Sequence, residues 1–272
     1  MTDASPTPLP RASATATEPP AFADRRLDDV ISEWAELGPR DQVESLTRAL
    51  YRLEPEPWTR PHLARGLREH LALHEPALHL PAIAEEHASP DGTEKLLLTT
   101  SVGRVESVLI PLPRSAASRA RSQATQAPTA RKDLSRRPPR ASGCLSSQVG
   151  CAVGCTFCAS GLQGLARNLA PRDLIGQALE LRRRAAARGF LLANLVVMGM
   201  GEPFHNLDAL CVALENLTHR AGAGFGLNRV TVSTVGVARG IERLRQSGPH
   251  VNLALSLHAP DDDLRRELVP LA

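Results

Sequence analysis

The spacing of apolar residues changes several times along this chain, and each change marks a different kind of element. Between residues 25 and 75 the period is helical. In RRLDDVISEWAEL, Leu27, Val30, Ile31 and Trp34 share one face at steps near 3.6. Gly38-Pro39 breaks the pattern, VESLTRALYRL restores it, and after Thr59 and Pro61 the stretch HLARGLREHLAL supplies a third helix. A small helical domain over 21–89 is expected. From 90 to 111 the period drops to two. DGTEKLLLTTSVGRVESVLIP reads as two strands around a turn near Gly103, with Val105, Ser107 and Leu109 alternating against Glu106 and Val108 up to Pro111.

Residues 112–143 keep no period. Eight basic residues (Arg114, Arg119, Arg121, Arg131, Lys132, Arg136, Arg137 and Arg140) stand against one acid, Asp133, among Pro, Ser and Ala. A basic flexible insertion is expected. An RNA-contacting arm is the alternative, weakened by the lack of interleaved aromatics for base stacking. From 144 to 272 strands and helices alternate: the cysteine-bearing loop, a helix at 171–188 closed by Gly189, the buried strand LLANLVVMG, a helix at 206–219 with Asn206 as its expected cap, the strand RVTVSTVG, a helix at 238–246, the strand VNLALSLHA, and a helix begun by DDDLRRELVPLA. This order predicts an α/β fold with a parallel sheet or partial barrel. Only about four strands precede Ala272, so an open edge, an uncovered face and a C-terminally truncated core are expected. Residues 1–20, rich in Pro, Ala, Ser and Thr, are expected to form a disordered tail.

Composition narrows this picture. Hydrophobic residues make up 42% of the 272, enough for a core, while aromatics at 3% leave that core to Leu, Val, Ala and Ile. The net charge of +3 permits a nucleic-acid partner without arguing for one. Lys95 and Lys132 are the only lysines; an arginine bias suits phosphate contacts but follows equally from a GC-rich genome. Four of the five cysteines, Cys144, Cys151, Cys155 and Cys158, crowd together, a poor arrangement for a secreted disulfide framework. No apolar run suits a signal peptide or a membrane span. A monomeric cytoplasmic protein with no membrane partner is expected.

The candidate chemistry centres on CAVGCTFC. Cys151, Cys155 and Cys158, spaced C-x3-C-x2-C, can ligate three irons of a [4Fe–4S] cluster and leave the fourth iron open. A tetrahedral zinc site would need a fourth ligand, for which Cys144 or His205 is available, so zinc stays open on spacing alone. At the end of an apolar strand, Gly199-Met200-Gly201-Glu202-Pro203 offers close backbone approach and a carboxylate that can accept from a substrate ammonium. Ser233 and Thr234 end the next strand, and Ser256 and His258 the one after. Carboxyl ends of parallel strands are where α/β proteins build ligand sites. A structural histidine is the plainer reading of His258 taken alone. Cys211, apolar-flanked on an outer helix, reads as a core thiol.

CLSSQVGCAVGCTFCASG, QGLARNLAPRDLIGQ, VVMGMGEPFHN, RVTVSTVGV and NLALSLHAPDDDLRRELVP together resemble the radical S-adenosylmethionine RNA methyltransferases that act on adenosine, the dual-specificity 23S rRNA and tRNA adenine-C2 enzymes and their C8-methylating relatives. The resemblance covers about 90–272. It implies a radical SAM partial (β/α)6 barrel, one [4Fe–4S] cluster held by Cys151, Cys155 and Cys158, and S-adenosylmethionine contacted by Phe157, Gly201, Glu202, Ser233, Ser256, Leu257 and His258. It implies Cys144 as the thiol that resolves a covalent protein–RNA intermediate and Glu106 as a proton acceptor. The implied reaction methylates C2 of adenosine in 23S rRNA, with tRNA a further substrate candidate and an electron donor as partner. C8 methylation, or an inactive cofactor- or RNA-binding remnant, is the alternative. The family's methyl-carrying cysteine and a further cofactor-contacting asparagine would lie beyond Ala272, and the basic stretch separates Glu106 from Cys144 by more than the family's usual distance.

Overall fold

The structure, a computed structural model, describes residues 21–74, 76, 78, 80–113 and 138–271. The expected tail at 1–20 and most of the basic insertion, 114–137, lie outside the described residues.

Three amphipathic helices begin the chain: α1 (Leu27–Trp34), α2 (Arg40–Tyr51) and α3 (Arg65–His74). The 3.6 spacing does what the sequence led one to expect. Leu27, Val30, Ile31 and Trp34 of α1 are buried together, against Val43, Leu46 and Leu50 of α2 and Leu67 and Leu71 of α3. Phe22 stacks on Trp34 with ring centroids 5.5 Å apart.

Next comes an antiparallel meander, β1 (Ala82–Ala88), β2 (Glu94–Thr99) and β3 (Arg104–Pro111). Two of these strands were expected and the first was not. In AIAEEHA nearly every side chain is exposed, so β1 carries no hydrophobic alternation; its pairing with β2 forms it. In β3 the predicted face holds: Val105, Ser107 and Leu109 are buried while Glu106 and Val108 are half-exposed.

Strand β4 (Arg140–Leu145) pairs antiparallel with β3 and parallel with β7 (Leu191–Val197). Strands β8 (Val230–Thr234) and β9 (Asn252–Leu255) continue in parallel, giving one seven-stranded sheet in the order β1-β2-β3-β4-β7-β8-β9. Four parallel strands thus carry a three-stranded antiparallel wing. Cys144 is therefore a strand residue, not part of the cysteine loop. A small separate hairpin, β5 (Gln148–Gly150) with β6 (Leu165–Asn168), brackets that loop and the short helix α4 (Ala159–Leu162). Neither hairpin strand was expected, since three or four residues are too few to show a period.

Helices α5 (Pro171–Ala187), α6 (Leu207–Thr218), α7 (Ala238–Ser247) and α8 (Asp262–Leu268) are the crossovers and final helix. Leu174, Ile175, Ala178 and Leu181 of α5 cover the sheet. The α5 N-terminus is fixed by the buried Asp173, which accepts from the Ala170 and Ser101 backbone and from Ser101 Oγ at 2.8–3.0 Å. The helical domain docks on the same layer: Asn216 of α6 accepts from Leu27 N and donates to Arg25 O, and Arg172 pairs with Asp24 at 2.6 Å. At the β9 edge, Leu253 and Leu255 remain exposed. No helix of the described residues is long and apolar enough to cross a membrane.

Candidate active site

The carboxyl ends of β4, β7, β8 and β9 meet at one end of the sheet, and the cysteine loop lies across them. Gly150 ends β5 at φ +77°, and a Cβ there would fall 2.0 Å from Gly164 O, so only glycine lets the two hairpin strands close. Cys151 N donates to Gly164 O at 3.0 Å, and Cys158 N to Cys155 O at 3.1 Å. Beneath the loop, Cys151 and Val153 pack with Val235 and Val269, joined by Cys155, Val237 and Leu268. Thr156 N reaches Leu268 O at 3.0 Å. The loop is thus braced by the end of β8 and, from more than a hundred residues downstream, by α8.

Cys151 is buried, and Cys155 and Cys158 are half-buried. Burial pushes the Cys151 and Cys155 thiols up, and neighbouring cysteines and Glu202 push the same way by like-charge repulsion. Among the described residues no three His, Cys, Asp or Glu side chains converge on one point as a single metal ion would need. The two fourth ligands considered for zinc lie elsewhere: Cys144 within β4, and His205 exposed on the turn before α6. An all-thiolate set of three neighbouring cysteines fits a cluster whose separate irons each take one ligand.

The GMGEP loop is fastened to the segment Ser146-Ser147-Gln148, which leads from β4 to the cysteines. Met200 N donates to Ser146 Oγ (2.9 Å), Ser147 N to Met200 O (2.8 Å), and Glu202 N to Gln148 Oε1 (2.8 Å). Gln177 of α5 holds Ser146 from behind, accepting from its N–H at 2.9 Å and donating to its carbonyl at 3.1 Å. All four of these polar residues are at most 1% exposed, and buried polar groups need such partners. Gly201 sits at φ +100° with an imagined Cβ only 2.6 Å from Gln148 Cβ, so its bare backbone lies directly against the side chains of this segment.

Glu202 itself is buried at 2% exposure. Its Oε1 accepts from Thr234 Oγ1 (2.7 Å) and Phe204 N (3.0 Å), and its Oε2 from Val235 N (2.9 Å). Three donors of the protein hold this carboxylate, which has about four acceptor sites, and through them it locks the end of β7 to the end of β8. Asn206 differs from its expected role. It makes no side-chain cap; its Nδ2 donates to Ser147 O and Leu169 O at 2.8–2.9 Å, tying the same loops.

At the next two strand ends Ser233 Oγ and Ser256 Oγ are 2.9 Å apart. Leu257 is half-exposed, and its carbonyl accepts from Arg265 of α8, which also donates to Val235 O. His258 takes φ +65°, a conformation uncommon outside glycine, and its ring lies 4.7 Å from that of Phe157, which is 56% exposed. The pair links the cysteine loop to the end of β9.

On β4, a Cβ at Gly143 would meet Leu181, Leu192 and Leu195, so that face looks toward the helices and Cys144 looks the opposite way. Cys144 is registered between Val108 and Val196, and burial pushes its thiol up. Glu106, two residues before Val108, has its backbone N–H against Met200 Sδ at 3.4 Å, and its carboxylate pairs with Lys95 at 2.8 Å. Ser146, Gln148, Gln177 and Arg265 were not foreseen. The signal for the first two was present as an SSQ run hard against the cysteines, polar residues where a strand had just ended.

Residues 145–270 match the radical SAM superfamily. The chain is 40% identical over 259 residues to a protein of Opitutus terrae named probable dual-specificity RNA methyltransferase RlmN 1, covering 92% of this chain and 65% of that one. It is 37% identical over 276 residues to a probable dual-specificity RNA methyltransferase RlmN of Corynebacterium efficiens, covering 98% and 68%. A radical SAM methyltransferase from Sphaerobacter thermophilus, known as a crystal structure, superposes with a TM-score of 0.72 at 36% identity, over 93% of this chain and 68% of that one. The chain thus spans about two thirds of the length of these relatives.

Proposed function

Since the chain belongs to the radical SAM family of dual-specificity RNA methyltransferases, we propose that it methylates adenosine in RNA at C2, with 23S rRNA the primary substrate and tRNA a second. The observation that carries this reading is the cysteine loop, packed on the end of β8, beside a glycine-lined strand end and the paired serines at one end of a parallel sheet.

Cys151, Cys155 and Cys158 would hold a [4Fe–4S] cluster. When bound, that cluster and S-adenosylmethionine supply one-electron chemistry able to functionalise an aromatic C–H carbon that no ordinary methyl transfer reaches. The chain's own residues bind and orient. Phe157 offers an exposed ring face for an adenine, held by His258. Ser233 and Ser256 present hydroxyls that can serve a ribose or amino-acid portion. Gly201 presents bare backbone, and Glu202 keeps that backbone in place from behind. Cys144 would act as the resolving thiol from the face of the sheet turned away from the helices. Glu106 would take up a proton, its carboxylate placed by Lys95.

The test is anaerobic reconstitution of the chain with iron and sulfide, followed by incubation with S-adenosylmethionine, a reductant and 23S rRNA fragments or tRNA. Mass spectrometry of digested RNA is expected to show 2-methyladenosine. Finding 8-methyladenosine would redirect the regiochemistry, and no methylated adenosine from a cluster-loaded protein would overturn the proposal.

A further inference from the structure

At the opposite end of the sheet from the cysteines, the amino-terminal ends of β4, β7 and β8 surround a cleft of about 560 Å³. Arg140, Arg182 and Arg229 line it together with Pro138, Phe190 and Phe225, and among the described residues no acidic side chain lines it. Arg140 opens β4 and Arg229 directly precedes β8; both are exposed. Arg182 is different. It leaves α5 half-buried, lies 4.3 Å over the Phe225 ring, and donates to Ala223 O at 2.7 Å.

Its neighbours on α5 and at its C-cap have carboxylates: Arg183 pairs with Glu180, Arg184 with Glu86 and Glu94, and Arg188 with Glu94. Among the described residues Arg182 has none. Burial, with the charge of Arg52 acting the same way, lowers its pKa to about 10. A half-buried cation beside a second cation, without a counter-charge, is unfavourable unless an anion arrives.

We propose that this cleft binds the phosphodiester backbone of an RNA strand, with the three arginines on phosphates and Phe190 against a sugar or base. The proposal rests on the RNA reading above and adds a second contact remote from the reacting base. A polymer fits better than a lone phosphate because the three arginines come from three separate elements, β4, α5 and the turn before β8, spread around one cleft. Phosphate contacts of this kind position and strengthen binding without reading sequence.

The experiment measures fluorescence anisotropy of a labelled single-stranded RNA oligonucleotide with the reconstituted full chain and with its R140Q/R229Q double variant, across a salt series. The variant is expected to bind about tenfold more weakly, with the slope of log affinity against log salt reduced by about 1.4, two single-strand contacts' worth. Cleavage of S-adenosylmethionine to 5'-deoxyadenosine is expected to stay at the wild-type rate. Equal RNA binding and equal slope in both proteins would overturn the cleft and leave the RNA reading intact. No RNA binding by the wild type would overturn both. A parallel titration with inorganic pyrophosphate separates the ligand's source: variant-sensitive pyrophosphate binding without RNA binding would replace the RNA strand by a small phosphorylated ligand.

Discussion

The Glu202 carboxylate shows how much a single residue can do for the scaffold of a site. Its three internal hydrogen bonds join two strand ends, and Glu202→Gln turns one acceptor into a donor facing another donor. The variant is expected to lose about 1–3 kcal/mol of stability, read as a lowered midpoint in anaerobic urea unfolding, and to lower 5'-deoxyadenosine formation along with it. Gly201→Ala should be worse for activity than its size suggests. The new methyl meets Gln148 and the backbone sits at positive φ, a strain on the order of 1–3 kcal/mol; displacement of the loop would show as weaker S-adenosylmethionine binding by calorimetry. Cys144 supplies a pH test. Because burial disfavours its thiolate, alkylation by iodoacetamide is expected to be slower than for a free cysteine at neutral pH and to climb with pH through a midpoint above the ordinary thiol value. A plateau at or below that ordinary value would refute the assignment. At this scale the cysteine spacing was legible because three thiols within eight residues have few uses. Glu202's partners were not, because Thr234 and Val235 lie more than thirty positions away and nothing local marks them.

Among the elements, legibility followed burial. Helices α1 to α3 and strand β3 could be read because one face of each packs on the core. Strand β1 could not, since a wing strand with exposed side chains on both faces leaves no period in the sequence. The β5–β6 hairpin was hidden for another reason: its strands are held by a glycine pair and by loop contacts rather than by a hydrophobic stripe. Arg265 is the element-scale counterpart of Glu202. It ties α8 to the carbonyls of Val235 and Leu257, so Arg265→Ala is expected to free the β9 end while leaving α1–α3 untouched. Hydrogen exchange read by mass spectrometry should show faster exchange confined to 252–268; unchanged protection there would mean that the apolar cluster alone holds the helix.

On the scale of the molecule, the sheet separates two kinds of surface. One end gathers thiols, hydroxyls and bare backbone; the other gathers arginines. The expectation of a parallel α/β core with about four strands agrees with β4, β7, β8 and β9. The antiparallel wing adds the strand that brings Glu106 and Lys95 toward Cys144, a placement set by register and invisible to composition. Among the described residues strand β9 is the outermost of the parallel half, with Leu253 and Leu255 exposed. Such an edge invites strand pairing between chains. The chain is therefore expected to self-associate with rising concentration in analytical ultracentrifugation, and Leu253→Lys with Leu255→Lys to suppress it.

The bracing of the cysteine loop by Thr156 on Leu268 and by Val153 on Val269 has a thermodynamic corollary. Whatever orders the loop also orders the last helix, so loading the three cysteines and docking α8 draw on one free energy, and each makes the other easier. Chelation of the iron should then loosen a helix that carries no ligand, and a proline placed within α8 should lower the affinity for iron–sulfur without altering a single thiol.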